Sequence, residues 1–294
     1  MTSRAPSAPP APVQPLIERD VALVPRPTRR SVVAGTAFLA ILRRDLLVTR
    51  REFGTFLVQM LIQPLFFLFI FGKVLPQIGF TQPGYAAVLL PGIVAMTIVT
   101  TAIQGVALPL VIDLGFAREI EDRLLAPLPI QGVAVEKVLF AAVRGLIAGA
   151  AIFPLAWLIL GDNYAVRSDR IPALIGVMIL TAFAGAAFGL TLGTIVSPQQ
   201  IGLMFSMIFA PLLFTGCTYY PWGHLDSIRW FQIVTLFNPM TYASEGLRRA
   251  MIPIVPGQSI DDMLPYTWVV AGLGVTIVVF TVWGIRLFKH RVVS

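Results

Sequence analysis

Residues 86–112, AAVLLPGIVAMTIVTTAIQGVALPLVI, decide the fold of this 294-residue chain. No acidic or basic side chain interrupts the run, and it exceeds the roughly 20 residues that an α-helix needs to cross a bilayer. Hydrophobic residues make up 56% of the whole chain and charged residues only 13%, whereas soluble domains carry about 25% charged residues. The sequence therefore predicts an integral membrane protein.

Five further apolar runs flank this segment, and each has the length of a transmembrane helix. They are residues 55–78, 134–160, 171–196, 200–219 and 266–288. We therefore predict an all-α membrane protein with six spans, whose transmembrane domain covers residues 54–290. Within it, Gly185, Gly189 and Gly193 recur at four-residue spacing, which favours close approach of a neighbouring helix; a role in gating is the alternative.

The chain before the first span divides into two segments. Residues 1–30 contain seven prolines and no long apolar core, which predicts a disordered Pro/Ala-rich cytoplasmic tail and no secretory signal peptide. Residues 31–53 mix apolar with charged side chains and predict an amphipathic helix in the headgroup layer, with a solvated linker helix as the alternative. The basic face of this interfacial helix is formed by Arg43, Arg44, Arg50 and Arg51.

The distribution of basic residues predicts the orientation. Ten lysines and arginines flank the spans on the side of the two termini, and six flank them on the other side. Cytoplasmic loops carry the excess of positive charge. We therefore predict a multi-pass protein of the cell (plasma or inner) membrane with cytoplasmic N- and C-termini.

The loop between the fifth and sixth spans, residues 221–265, is apolar but too broken to cross the membrane. Its middle part, WFQIVTLFNPMTYASEGL, is interrupted by Asn238 and Pro239. Broken backbone is tolerated at membrane depth only where protein or water covers it. We predict a re-entrant helical hairpin in the outer leaflet, with a surface loop as the alternative. Glu245 lies three residues before Arg248, which predicts a local ion pair; Arg249, four residues on, is the alternative partner.

The sequence lacks the motifs of several enzyme classes. The sequence has no G-x-x-x-x-G-K-[ST] phosphate loop, no H-E-x-x-H and no G-x-S-x-G, and it holds two histidines and one cysteine. We therefore expect no catalytic residues, no metal site and no ATP hydrolysis by this chain. No basic stripe with interleaved aromatics accompanies the net charge of +7, so we expect no nucleic-acid partner and assign the charge to orientation and lipid contact.

The segment FAREIEDRLLAPLPIQG, residues 116–132, is the charged exception between two spans. Phe116, Ile120 and Leu124 share one helical face, and five of the six residues 118–123 are charged. Such a short helix is not stable alone in water. A protein groove suits its mixed charges better than anionic lipid does, although docking on the membrane surface remains the alternative.

Three motifs, in order, resemble the membrane subunits of type-2 ABC exporters. REIEDRLLAPLPIQGVAVEKVL (118–139) is similar to the acidic, Leu-Leu-x-x-Pro and Lys signature of the inner segment. FTGCTYYP (214–221) is similar to the end of the fifth span, and LFNPMTYASEGLRRAM (236–251) to the outer hairpin. The resemblance covers about residues 32–290. One departure is Ile120, which directly follows Glu119 where the family often has Gly-Thr.

The resemblance implies partners that supply what the sequence lacks. ATP and Mg would be bound by a separate nucleotide-binding ATPase subunit, and a second permease copy, identical or not, would complete the substrate path. The inner segment would be the coupling helix that docks on the ATPase, joined by the interfacial helix. Its residues are Phe116, Arg118, Glu119, Ile120, Glu121, Asp122, Arg123, Leu124, Leu125 and Pro127.

The family resemblance also places the substrate path along the first, second and fifth spans. Candidate path residues are Gln63, Phe66, Phe67, Phe69 and Phe214, and Pro64 is a candidate kink at a gate. This Phe-rich face favours a drug, lipid or glycolipid-like amphiphile as cargo, with packing against lipid as the alternative. A polysaccharide exporter permease, an ion-coupled secondary transporter and a membrane enzyme or structural subunit remain alternative functions. Mid-span acidic residues of the kind that ion-coupled transporters use are missing.

Overall fold

The computed structural model describes residues 30–81, 84–114, 130–161, 164, 166–252 and 263–293, and these ranges contain helices and connecting turns without a β-strand. Six of the helices are long and apolar enough to cross a membrane. This confirms the predicted all-α membrane fold. The predicted disordered tail, residues 1–30, lies outside the described residues except for Arg30.

The described helices follow the predicted order. The first six are α1 (Arg30–Arg51), α2 (Phe53–Phe67), α3 (Tyr85–Ile112), α4 (Ile130–Leu160), α5 (Ile171–Ile195) and α6 (Ile201–Thr215). The last three are α7 (Arg229–Thr235), α8 (Pro239–Met251) and α9 (Tyr266–Val293). We call the end of the bundle that carries α1 and the segment 115–129 the inner end, and the end that carries α7 and α8 the outer end.

The first span departs from α-helical geometry in its outer half. After α2 the chain continues as a π-helix over Leu68–Val74 and one further turn over Leu75–Gln77. Pro64 lies one turn before the π-helix. Proline cannot donate a backbone hydrogen bond, and its ring displaces the carbonyl of the preceding turn, so it is a recognised cause of helix deformation. π-helical turns of this kind are frequent at functional sites.

The sixth span and the fifth span end differently from the prediction. α6 ends at Thr215, short of the predicted residue 219, because Cys217 takes a left-handed backbone conformation with φ of 50° that no α-helix continues. α9 extends through Val293, beyond the predicted residue 288.

Helix α3 is the centre of the bundle. In its most apolar window 83% of the residues are buried, against 17% in the first span and 12% in the fifth. The glycine face of α5 packs directly on α3: a Cβ atom built on Gly189 would lie 2.7 Å from the carbonyl oxygen of Ile103. Only a hydrogen atom fits there, so the spacing predicted from the sequence serves close helix packing.

Helix α9 closes the bundle against α5. Thr191 Oγ1 donates to the carbonyl oxygen of Phe280 at 2.8 Å. At the inner end the Arg291 guanidinium donates to the carbonyl oxygens of Thr194 and Val196, which have lost their helical partners where α5 stops. These contacts fix the inner ends of the fourth and sixth spans to each other.

Candidate functional site

The predicted coupling residues fall on a part of the chain that the structure does not describe. They are Phe116, Arg118, Glu119, Ile120, Glu121, Asp122, Arg123, Leu124, Leu125 and Pro127. The two helices that this segment joins are described up to Leu114 and from Ile130. The geometry of its two anchoring points can therefore be given, whereas its helical conformation and docking role stay predictions.

A buried ion pair joins these two anchoring points. Lys137 Nζ donates to Asp113 Oδ2 at 2.9 Å, and both residues are less than 9% exposed. Asp113 directly follows α3, and Lys137 lies in the second turn of α4. Breaking a buried pair leaves an uncompensated charge in a low-dielectric environment, which is costly. The pair therefore holds the entry and the exit of the segment 115–129 together.

The basic face of α1 is accessible. Arg43, Arg44, Arg50 and Arg51 are all exposed in the described structure, and Arg44 Nε donates to Asp45 Oδ1 at 3.1 Å. This arrangement leaves the guanidinium groups available to headgroups or to a partner. The location of α1 in the headgroup layer stays a prediction.

A cavity opens between α1, the start of α2 and α4 at the inner end. Its volume is about 480 Å³, and its lining includes Glu52, Phe56 and Arg144. The Arg144 guanidinium lies 4.5 Å from the ring centroid of Phe56 and 5.7 Å from that of Phe140, both within range of a cation–π interaction. Arg144 thus faces the cavity and packs on aromatic rings.

The structure divides the predicted path residues into two groups. Gln63, Phe66 and Phe69 are exposed, the two phenylalanines by 56% and 46%. Phe67 is half-buried and lies 5.4 Å, ring centroid to ring centroid, from Tyr219. Phe214 is 61% exposed, and its ring lies 5.7 Å from the same tyrosine. Only Phe67 and Phe214 therefore gather at one place.

Tyr219 is the centre of that place and was missed by the sequence reasoning. Besides Phe67 and Phe214, its ring contacts Phe71 at 6.1 Å. Its carbonyl oxygen accepts a hydrogen bond from Tyr85 Oη at 3.0 Å. The cluster thus connects the first, second and fifth spans near the outer end. Tyr219 was visible in the sequence as part of FTGCTYYP, but its partners lie far away along the chain.

The outer segment folds into two helices, α7 and α8, that meet at the predicted break. Asn238 is the N-cap of α8: its Oδ1 accepts from the backbone N–H of Met240 at 2.9 Å. Pro239 follows at the first helical position, where a missing N–H costs nothing. Asn238 Nδ2 also donates to the Leu212 carbonyl at 2.8 Å, which ties this hairpin to α6. Its insertion into the outer leaflet stays a prediction.

Glu245 and Arg248 form the predicted ion pair, and both side chains are completely buried. Arg248 is the largest fully buried side chain among the described residues. Its guanidinium also donates to the carbonyl oxygens of Cys217 at 2.9 Å, of Thr218 at 3.4 Å and of Val88 at 3.3 Å. One side chain thereby joins α8 to the outer end of α3 and to the chain after α6.

Glu245 extends the same network. Its carboxylate accepts from the backbone N–H of Trp222 at 2.9 Å and from that of Leu264 at 3.5 Å. The Glu245 carboxylate thus accepts hydrogen bonds from Trp222, Leu264 and Arg248, and such bonds compensate the burial of its negative charge. We call the network of Glu245, Arg248 and their backbone partners the outer lock.

Arg249, the alternative partner of Glu245, points elsewhere. Its guanidinium donates to the carbonyl oxygens of Met263 and Leu264 and lies 5.4 Å from the ring centroid of Tyr266. Arg249 therefore anchors the start of α9 and remains only half-buried.

The single cysteine lies inside this region. Burial raises the pKa of the Cys217 thiol to about 11, so the thiol is protonated and unreactive at neutral pH. Among the described residues no group of three or more histidine, cysteine, aspartate or glutamate side chains is placed to hold a metal ion. The polar groups of the outer lock serve hydrogen bonds and packing.

Six apolar helices around a buried central span define a multi-pass membrane protein. Residues 36–252 match the ABC-2 type transporter family, and the chain belongs to this family as a transmembrane subunit.

Two curated relatives are similar to the chain. The Inner membrane transport permease YadH of Escherichia coli (strain K12) is 26% identical over 204 residues, which are 67% of this chain and 77% of the relative. The protein of the same name from Shigella flexneri gives the same values.

Proposed function

We propose that this chain is the membrane half of an ATP-driven exporter in the inner membrane. It forms the substrate path as a dimer, and a separate nucleotide-binding subunit hydrolyses ATP. The observation that carries the proposal is the membership of the six-span fold in the ABC-2 transporter family, combined with a sequence that lacks a phosphate loop. A transporter subunit without its own ATP site needs a partner that has one.

The inner ion pair supports the coupling part of the proposal. Because Lys137 and Asp113 fix α3 to α4, the two helix ends that flank the segment 115–129 are joined to each other at the centre of the bundle. A force that a partner applies to this segment would therefore displace α3 and α4 together. In a loop whose flanking helices were not joined, the same force would bend only the loop.

The surface of the first and fifth spans supports the dimer. Apolar side chains of both spans are exposed, for example Val58 by 66% and Met207 by 66%. On the first span the amides of Gln59 and Gln63 are also exposed. A polar amide facing lipid hydrocarbon costs several kcal/mol, on the order of 4–8 on a cyclohexane scale. A second copy or a water-filled path between copies gives these amides polar partners.

The aromatic cluster around Tyr219 supports an amphiphilic cargo. It presents the exposed ring of Phe214 beside the half-buried Phe67. Phe66 and the amide of Gln63 are exposed elsewhere on the same span. Aromatic faces with a few amides suit a molecule with an apolar body and a polar head. The path therefore favours a drug, lipid or glycolipid-like amphiphile.

The test of the coupling role is copurification with the nucleotide-binding ATPase subunit that the proposal requires, sought among the neighbouring reading frames. The double variant Glu121→Arg and Leu124→Asp reverses one charge and places a charge on the apolar ridge, and we expect it to abolish both the complex and cargo-stimulated ATP hydrolysis. The matched control is Leu16→Asp with Glu18→Arg, which makes the same chemical changes in the N-terminal tail and leaves both readouts unchanged.

An intact complex with normal ATPase stimulation in the Glu121/Leu124 variant would refute the coupling assignment. A second experiment separates the transporter classes. Proteoliposomes that contain this chain alone should move no cargo under a proton or sodium gradient, and transport under that gradient without ATP would favour the ion-coupled alternative.

A further inference from the structure

The cavity at the inner end has the chemistry of a binding site that transport itself does not require. It lies where α1 meets α2, beside α4. We propose that it binds the phosphoethanolamine headgroup of a zwitterionic phospholipid, with the phosphate at Arg144 and the primary ammonium at Glu52.

Arg144 has an unused hydrogen-bond donor. Arg144 Nε is buried and has no hydrogen-bond partner among the described residues. The two rings that flank the guanidinium, Phe56 and Phe140, offer only their π-faces. A buried guanidinium N–H without an acceptor is unfavourable. Phosphate oxygens are the acceptors that best match the donor geometry of arginine.

The charged side chains that line the cavity include one cation and one carboxylate that do not pair. The cavity is lined by two cations, Arg44 and Arg144, and by two carboxylates, Asp45 and Glu52. Arg44 and Asp45 already pair at 3.1 Å. None of the ion pairs within 4 Å in the described part of the chain joins Arg144 to Glu52. The two remaining charges therefore face one cavity with space between them. A ligand with one negative and one positive group satisfies both, whereas a simple anion would face two carboxylates.

Glu52 and Arg144 meet the first span at different positions along its axis. Glu52 lies one helical turn before Phe56, since Phe56 N–H donates to the Glu52 carbonyl at 2.9 Å. The Arg144 guanidinium is stacked on Phe56. The Arg144 guanidinium therefore contacts the first span one helical turn further in than Glu52. In a phospholipid of the inner leaflet the phosphate is likewise nearer to the hydrocarbon than the ammonium.

The Glu52 carboxylate favours ethanolamine over choline, and the apolar first span favours a lipid over a free headgroup. A carboxylate accepts hydrogen bonds, and a primary ammonium donates three while a trimethylated one donates none. The volume of about 480 Å³ is ample for a headgroup, since a water occupies roughly 30 Å³. The cavity opens beside the first span, where acyl chains have an apolar helix to lie on. This inference does not depend on the ATPase or the cargo.

The experiment is native mass spectrometry of the purified full chain with dihexanoyl phosphatidylethanolamine, dihexanoyl phosphatidylglycerol and free phosphoethanolamine. We expect the ethanolamine lipid to bind at least about tenfold more tightly than phosphatidylglycerol, which lacks the ammonium and so loses one charge-assisted hydrogen bond. It should also bind more tightly than free phosphoethanolamine, which lacks the acyl chains. Arg144→Gln should weaken both lipids about tenfold. Glu52→Gln, an exposed position that cannot disturb folding, should weaken the ethanolamine lipid alone.

The matched control is Arg50→Gln, which removes an exposed arginine of α1 that does not line the cavity and should leave all affinities unchanged. Equal binding of the two lipids would overturn the zwitterion assignment. Equal binding of free phosphoethanolamine and the lipid would overturn the membrane source. If Glu52→Gln binds both lipids as the unmodified protein does, the site itself is wrong, whatever the behaviour of Arg144→Gln.

Discussion

The substitution Arg248→Met tests the outer lock. It keeps much of the volume of the buried side chain but removes its charge and its donors. Four acceptors lose their partner: the Glu245 carboxylate and the carbonyl oxygens of Val88, Cys217 and Thr218. Both members of the ion pair are 0% exposed, so water cannot replace the lost contacts. Breaking a buried pair by removing one partner costs about 3–5 kcal/mol.

The measurable consequence is a lower thermal stability of the purified protein. For a chain of this size each kcal/mol lowers the unfolding midpoint by about 2–4 °C, so we expect Arg248→Met to unfold roughly 6–20 °C below the unmodified protein. The assay is the temperature at which half of the protein is lost from the monodisperse peak in size-exclusion chromatography. A neutral second change, Glu245→Gln, should recover part of the loss, because it removes the uncompensated carboxylate.

Arg249→Met is the matched control. The same residue type, one position further on the same helix, is only half-buried and bonds to Met263 and Leu264. Its loss should cost about 1 kcal/mol. If Arg248→Met unfolds within about 2 °C of the unmodified protein, or no lower than Arg249→Met, then the outer lock does not stabilise the fold and the reasoning is wrong.

Three further predictions concern the centre, the inner end and the surface of the bundle. Gly189→Leu should abolish folded protein in a chromatographic screen of membranes, because even a Cβ would lie 2.7 Å from the Ile103 carbonyl, whereas Gly176→Leu, with open space around it, should express normally. Lys137→Met should lower the unfolding midpoint by about 6–20 °C. Met207→Cys, on the exposed face of α6, should give an oxidised crosslink between two copies on denaturing gels; its absence would contradict a dimer through this face.

The parts of the fold that depend on local composition could be predicted from the sequence. Residues 86–112 are long and uncharged, so the span is evident without a structure. Glu245 and Arg248 are three residues apart, which places both on one face of a helix. The predicted end of α6 at residue 219 is four residues too far along the chain, because the sequence stays apolar through Tyr219 although the backbone turns at Cys217. Hydrophobicity indicates the length of an apolar stretch but not the backbone conformation within it.

The parts that depend on distant contacts could not be predicted. Arg248 reaches the Val88 carbonyl across 160 residues of sequence, and backbone acceptors carry no sequence signal. Tyr219 joins Phe67 and Tyr85 in the same way. The prediction also grouped Phe66 with Phe67, although adjacent residues point in different directions from a helix. In the structure one is exposed and the other packs on Tyr219.

The two buried ion pairs give the central helix a mechanical role. Val88 in the first turn of α3 accepts from the outer lock, and Asp113, directly after its last turn, pairs with Lys137. The whole of α3 is 28 residues long, about 42 Å of helix at 1.5 Å per residue. Both of its ends are thus fixed by buried charges that cannot slip without a large cost. On the proposed function, a motion of the segment 115–129 that the ATPase drives would reach the α7–α8 hairpin through α3. Breaking either pair should therefore uncouple ATP hydrolysis from transport before it prevents assembly with the ATPase.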